Sequence, residues 1–194
     1  MVNVAKFDRQ DVVKKACYLF WEKGFHGTSM RNLQQAVDLR PGSIYATFGS
    51  KEELFGETLH YYANESKNRM DKHFAEESSP LSALKSFIYE MVVTAAESDP
   101  SNACMLVKTV AELTEDEHSN LLTTARAELK SLEDKFCWAL ERAKEAGEIS
   151  AAADTRELAI YLQVQMMGLK TYSQAYSSNE QICSLLHTIF SRLE

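Results

Sequence analysis

The chain has 194 residues, 45% of them hydrophobic, and a formal net charge of −7. That length allows a real core, either as one large domain or as a small module joined to a larger one. The four cysteines, Cys17, Cys104, Cys137 and Cys183, lie far apart without a C-x-x-C pair, which argues against a zinc ribbon or a dithiol redox motif and for free thiols in a reducing compartment.

Between Asp8, a ready N-cap, and Gly24, a helix stop, the apolar residues Val12, Val13, Ala16, Cys17, Leu19 and Phe20 recur at helical spacing. Thr28 and Ser29 offer caps for a short second helix, Met30 to Val37, with Met30, Leu33, Ala36 and Val37 on one face. Asp38-Leu39-Arg40 makes a tight turn. Pro41 suits the first position of a third helix, Gly42 to Phe48, because the N–H it lacks would be unpaired there. Ser50 caps a fourth helix from Lys51 to about Ala75, with Glu53 completing an S-x-x-E capping box and Glu76 to Pro80 breaking the helix.

Ser82 to Glu97 reads as a fifth helix closed by Asp99-Pro100-Ser101, and Asn102 to Leu113 as a short sixth. Leu121, Leu122, Ala125, Leu129, Leu132, Phe136, Leu140 and Ala143 hold helical register between Glu115 and Gly147. Asp154 caps a helix reaching about Tyr176, and Ser178 opens the last one. Strand alternation and Gly-rich hairpin turns are missing from the pattern, so the expected fold class is all-α. The opening MVNVAKFDRQ has no basic head followed by an apolar core, and no run approaches the roughly 18 apolar residues of a membrane span. A soluble, cytoplasmic protein with no membrane association is expected.

The charge is unevenly spread. Residues 1–56 hold eight Lys/Arg against six Asp/Glu, which leaves 13 against 22 for the rest of the chain. A slightly basic head on an acidic body suits nucleic acid at one end only. Within that head, Gly24 to Phe55 reads as a helix-turn-helix, which needs a packed scaffold, a sharp turn and a second helix free to enter the major groove. Val37, Leu39, Ile44 and Phe48 supply the packing. Gly42 and Ser43 open the third helix where its amides favour a phosphate, and Thr28 and Lys51 stand at neighbouring helix starts as further anchors. A generic helical hairpin would explain the apolar spacing but not these phosphate-favouring residues in register.

Gly24, Phe25, Thr28, Ser29, Met30, Leu33, Val37, Leu39, Gly42, Ile44, Tyr45, Phe48, Ser50, Lys51, Glu52 and Leu54 together resemble the tetracycline-repressor (TetR) family. The resemblance covers residues 8–56 at the level of motif, and the rest by helical layout and length. It implies a helix-turn-helix DNA-binding domain in residues 1–56 and a helical ligand-binding and dimerisation domain in residues 57–194. It also implies a ligand-responsive transcriptional regulator, a repressor on a palindromic double-stranded operator, and neither catalytic residues nor a cofactor. By position, Tyr45 and Lys51 would contact phosphate and Thr28 would anchor the backbone. Ser43, Ala46 and Thr47 would face bases or sugar-phosphate. Arg40 could reach a phosphate or a guanine edge, and the two remain open. Asp38 departs from the glycine usual at the turn, and Ala46 and Thr47 from the aromatic or His often found there. A helical enzyme or small-molecule carrier with a degenerate helix-turn-helix is the alternative, and an activator is equally compatible with the sequence.

Family resemblance also makes the last two long helices a homodimer bundle, with Leu158, Tyr161, Leu162, Gln165, Met166 and Leu169 and then Ile182, Leu185, Leu186, Ile189 and Phe190 as its apolar faces. DNA geometry asks for the same pairing, since two recognition helices must lie about 34–36 Å, or a multiple of that, apart. Candidate lining residues for an inducer pocket are Phe87, Met91, Met105, Phe136, Tyr161, Met166 and Met167, with ordinary core packing as the competing role. Gln165, Lys170 and Tyr172 are polar interruptions that would face either a ligand or the dimer seam. Cys104 stands near the start of the short sixth helix with Lys108 one turn on, in the segment ACMLVKTVAEL, residues 103–113. Helix dipole and ammonium would both favour a thiolate there, and some family members with a similar segment respond to electrophiles through a cysteine. A buried, inert Cys104 is the competing role. His26, His60, His73, His118 and His187 show no metal-ligand spacing with acids or cysteines, so no metal site is expected.

Overall fold

The computed structural model describes residues 7–94, 101, 103–175 and 178–193, which are helical with no strand among them. The helices are α1 Arg9–Lys23, α2 Met30–Val37, α3 Pro41–Phe48, α4 Lys51–Glu76, α5 Pro80–Tyr89, α6 Met105–Glu112, α7 Glu115–Glu145, α8 Thr155–Ala175 and α9 Asn179–Phe190. A π-helical turn, Glu90–Thr94, continues α5.

Local chemistry sets most of these boundaries. Asp8 accepts from the Gln10 amide at 2.9 Å to start α1. Gly24 ends that helix at φ 77°, with its N–H on the Phe20 carbonyl. A side chain at Gly24 would be strained by that φ and would also place its Cβ 2.5 Å from the Glu112 carboxylate. Ser29, not Thr28, is the N-cap of α2, in a reciprocal box with Asn32: Ser29 Oγ accepts from the Asn32 amide and Asn32 Oδ1 from the Ser29 amide. At α4, Ser50 Oγ accepts from the Glu53 amide at 3.0 Å. Asp154 Oδ1 caps α8 through the amides of Arg156 and Glu157.

The fifth helix differs from expectation. It begins at Pro80 behind an Ser79 cap, because proline fits the first helical turn and interrupts helices only in their interior. It then loosens into the π turn at Glu90. The expected end at Glu97, the Asp99-Pro100 stop, the start at Asn102 and the end at Tyr176 lie outside the described residues. The sixth helix starts at Met105 with Cys104 at its N-cap.

Buried side chains form two clusters. One joins α1, α2, α3 and the first half of α4 to α6 and the first half of α7, around Phe20, Leu33, Ile44, Leu54, Phe55, Leu59, Met105 and Leu106. The other joins the end of α4 to α5, the second half of α7, α8 and α9, around Met70, Leu84, Phe87, Phe136, Leu140 and Leu162. Helix α4 runs unbroken past residue 56. α4 and α7 therefore both cross from one cluster to the other, and the helix-turn-helix is seated on α6 and α7 through a shared core.

Candidate functional site

Helix α3 divides cleanly into two faces. Ile44 and Phe48, at 1% and 4% exposure, point into the core. Gly42, Tyr45 and Ala46 face solvent, with Tyr45 47% exposed although nothing in its chemistry requires that much apolar surface in water. An exposed ring on the outward face of a short helix is what a recognition helix presents to a groove. Arg40 occupies the N-cap of α3 and is exposed, and Pro41 stands at the first helical position. Ser43 and Thr47 are half-buried, and Thr47 Oγ1 donates to the Ser43 carbonyl at 2.8 Å. Asp38 takes the left-handed conformation, φ 53° and ψ 43°, and is the one non-glycine residue with positive φ among the described residues.

Two of the expected anchors are placed otherwise. Thr28 is fully buried, and its hydroxyl donates to the Gly24 carbonyl at 2.7 Å. Its role is to close the loop between α1 and α2, which puts its side chain out of reach of a phosphate. Lys51 stands in the first turn of α4, with its ammonium 4.2 Å from the Phe25 ring centroid. Burial pushes that amine below the usual lysine range, and the carboxylates of Glu112 and Glu52 pull the other way. Its side chain thus lies back on the head.

Helix α6 ties the head to the body. Glu112 accepts from the Phe25 amide at 3.0 Å and from the His26 amide at 2.7 Å. Lys108 Nζ donates to the carbonyls of Trp21 at 2.6 Å and Glu22 at 3.2 Å, where the C-terminal end of α1 carries partial negative charge. Trp21 Nε1 donates to the Ala103 carbonyl at 2.6 Å. The expected pairing of Lys108 with Cys104 is therefore replaced by a helix cap on α1. Cys104 itself is 6% exposed and makes no side-chain cap bond.

In the body, Phe87, Met105, Phe136 and Met166 sit in the core clusters. Met91 is also buried and touches a small crevice of about 30 Å³ beside Cys17, Tyr61 and Arg69. Lys170 is 4% exposed, with its ammonium 5.7 Å from the Trp21 ring centroid. Tyr161 and Gln165 line an outer groove between α8 and α9 with Tyr172 and Leu185. An open cleft of about 560 Å³ is walled instead by His73, Lys85, Tyr89, Glu90, His187 and Phe190, among others. His73 Nε2 lies 2.6 Å from Glu90 Oε2 in that wall. None of these residues was read from the sequence as lining a ligand site. Lys85 and Glu90, the two charges that interrupt the apolar run from Leu81 to Val93, were the available signal. Leu162, Leu186 and Phe190, read as dimer-face residues, are buried within the chain, whereas Ile160, Val164, Tyr172 and Leu185 expose 47%, 57%, 36% and 41% on α8 and α9. Side chains three and four apart share a helix face, and the list drawn from sequence mixed the inner and outer faces.

A helix-turn-helix with an exposed third helix, seated on a helical body with an open cleft, defines a DNA-binding regulatory protein. Residues 12–58 match the model of the bacterial regulatory proteins of the tetR family, and residues 80–189 match the tetracyclin repressor-like C-terminal domain. The chain belongs to the TetR family of transcriptional regulators and is not an enzyme. It is similar to the HTH-type transcriptional repressor ComR of Escherichia coli, 27% identical, over 94% of this chain and 87% of that one. It is also similar to the HTH-type transcriptional regulator YezE of Bacillus subtilis, 27% identical, over 84% of each. Among solved structures, the TetR family regulator CifR, a cysteine mutant complexed with 26-base-pair operator DNA, superposes with a TM-score of 0.82 at 25% identity, over 95% of this chain and 96% of that one. A TetR family regulator from Cytophaga hutchinsonii superposes with a TM-score of 0.83 at 20% identity, over 96% and 94%.

Proposed function

We propose that the protein is a homodimeric repressor that binds a palindromic operator through α3 and is released when a small molecule occupies the body. The observation that carries this is the split face of α3, with Ile44 and Phe48 inward and Gly42, Tyr45 and Ala46 outward beside Arg40. In this reading residues 1–56 are the DNA-binding domain and residues 57–194 the ligand-binding and dimerisation domain. Arg40, Gly42, Ser43, Tyr45, Ala46, Thr47 and the α4 start at Lys51 form the contact surface, and Thr28 supports it from within. Ala46 and the Thr47 methyl suit apolar contact with a thymine methyl. The protein acts in the cytoplasm, where its DNA is.

The dimer forms through the outer faces of α8 and α9, where Ile160, Val164, Tyr172 and Leu185 expose apolar surface. The inducer site is the open cleft of about 560 Å³, which is within the range that holds small ligands. Cleft occupancy rather than thiol chemistry is the favoured trigger, because Cys104 is buried and Lys108 is committed to the α1 carbonyls. Loss of electrophile-induced operator release in Cys104→Ser would reverse that preference.

Gel shifts with DNA from the chain's own upstream region test the repressor reading. Tyr45→Ala, at an exposed position, is expected to keep its fold and to bind at least about tenfold more weakly. Arg40→Ala is expected to weaken binding and, if Arg40 meets a phosphate, to lower the slope of log affinity against log salt by about one. No binding by the wild type at low salt would overturn the reading and favour the carrier alternative.

A further inference from the structure

Three potential metal ligands, His26 and the sequence-remote neighbours Glu117 and His118, meet where the head rests on the body. His26, in the loop between α1 and α2, and Glu117 and His118, in the first turn of α7, bring one donor atom each within 4.8 Å of one another. Nothing in the DNA-binding reading uses them. The two imidazoles lie with ring centroids 5.4 Å apart.

The surroundings hold two of these donors in place. Glu112 pins the His26 amide at 2.7 Å and the Phe25 amide at 3.0 Å, which fixes the loop. The His118 ring packs edge-on against Phe25, with centroids 4.8 Å apart and planes at 70°. His118 Nδ1 is buried and has no hydrogen-bond partner, although Glu52 Oε1 is 3.0 Å away. A buried imidazole nitrogen without a hydrogen bond is costly; a slight closing of the Glu52 contact satisfies Nδ1 and orients the ring, which leaves Nε2 as the nitrogen that would bind a metal. That carboxylate–histidine–metal arrangement is the common way to fix a ligating histidine. The backbone leaves regular helical geometry at His118 itself, with φ −139° and ψ 41° inside α7, so the ring is turned out of the ordinary helical register.

We propose that His26, Glu117 and His118 bind a divalent transition-metal ion of the zinc class, with Glu52 orienting His118 and water completing the coordination. Two imidazoles and one carboxylate suit Zn(II), Cu(II), Ni(II) or Co(II), whereas Mg(II) and Ca(II) prefer oxygen throughout. Donors about 2.0–2.2 Å from a tetrahedral ion lie about 3.3–3.6 Å apart, so small rotations of the exposed His26 and Glu117 side chains close the site. The bound ion would bridge the α1–α2 loop of the head to α7 of the body, in parallel with Glu112.

The test needs no DNA, so it stands or fails apart from the repressor reading. Tag-free, metal-stripped full chain is titrated with Zn(II) against a chromophoric chelator. One ion per chain is expected, with no competition from excess Mg(II) or Ca(II). His26→Ala and Glu117→Gln, both at exposed positions, are each expected to weaken Zn(II) at least about tenfold without altering the helical circular dichroism. Co(II) is expected to give ligand-field bands without thiolate charge transfer. Absence of stoichiometric binding, unchanged affinity in His26→Ala, or a thiolate band that places the ion on the cysteines would each overturn the proposal.

Discussion

The head and the distal half of the body are both packed helical cores, yet they hold their functional surfaces in opposite ways. In the head, function lies on the outside of elements whose insides are fixed by caps and turns: α3 buries Ile44 and Phe48 and thereby aims Tyr45 and Ala46 at solvent. In the distal half, an open cleft lies between α5, the π turn and α9, where His73, Lys85, Glu90 and His187 line it beside Tyr89, Leu186 and Phe190. The lesson is that the position of a surface can be inferred from what is buried behind it, but the position of a void depends on several helices at once.

Phe136 gives the largest effect that bears on this contrast. It is 1% exposed and packs against Phe87 with ring centroids 6.1 Å apart. If it is core, Phe136→Ala costs about 3–5 kcal/mol of stability, read from urea unfolding with an unchanged denaturant slope. A variant that unfolds within about 1 kcal/mol of wild type but no longer responds to inducer would instead make Phe136 a cavity wall. The comparison would then break.

Next is the joint between the two regions. Glu112→Gln keeps the shape but removes the charge that receives two amides of the α1–α2 loop. Hydrogen bonds to charged groups contribute about 1.5–3 kcal/mol, and since His26 is exposed and can be rehydrated, a loss of about 2 kcal/mol is expected by thermal or urea unfolding. Weaker operator binding should accompany it, because the loop positions α2 and α3. Equal stability in wild type and Glu112→Gln would mean that the shared core and the Lys108 and Trp21 bonds seat the head without the Glu112 charge.

A smaller effect separates the buried thiols from the half-buried ones. Burial, with Glu65 adding to it, pushes the Cys17 thiol up to about 12. A folded value above the unfolded one of 9.0 gives stability that is complete below pH 9 and is lost as pH rises toward 12. Between pH 9 and 10 the wild type should lose up to about 1.4 kcal/mol that Cys17→Ala does not lose, measured by urea unfolding at each pH. In the same molecule at neutral pH, alkylation followed by mass spectrometry should label Cys137 and Cys183, which are partly exposed, before Cys17 and Cys104, which are buried.

Much of the head was legible because its determinants are local. Asp8, Gly24, Pro41 and Ser50 act within four residues of themselves, so sequence spacing is enough to place them. Thr28 was misread for the same reason. Its neighbour Ser29 has the same capping chemistry, and only the packing of the α1–α2 loop shows which of the two faces inward. The body residues depended on distant partners: Lys108 caps α1, and His118 meets His26, across separations that no helical period encodes. For α8 and α9 the apolar period was read correctly as amphipathic, but both faces are apolar, and choosing the outer one, with Ile160 and Val164, required the position of α7.

Asp38 offers the smallest and most local test. Its left-handed backbone costs an ordinary residue about 1–2 kcal/mol, less for Asp, whose side chain bonds locally, and nothing for glycine. It also places a carboxylate at the C-terminal end of α2, where the helix dipole disfavours a negative charge by about 0.3–1 kcal/mol. The two contributions separate by substitution. Asp38→Asn keeps a residue that tolerates the conformation and removes the charge, so it should gain up to about 0.5 kcal/mol, more at low salt than at high. Asp38→Gly should gain about as much again from the backbone, offset in part by the extra entropy glycine gives the unfolded chain. Both variants should bind operator more tightly, since the turn immediately precedes α3 and its carboxylate repels nearby phosphate. If Asp38→Asn is instead less stable than wild type, the carboxylate holds the turn through its own hydrogen bonds, and the departure from glycine there is a structural choice rather than a tolerated strain.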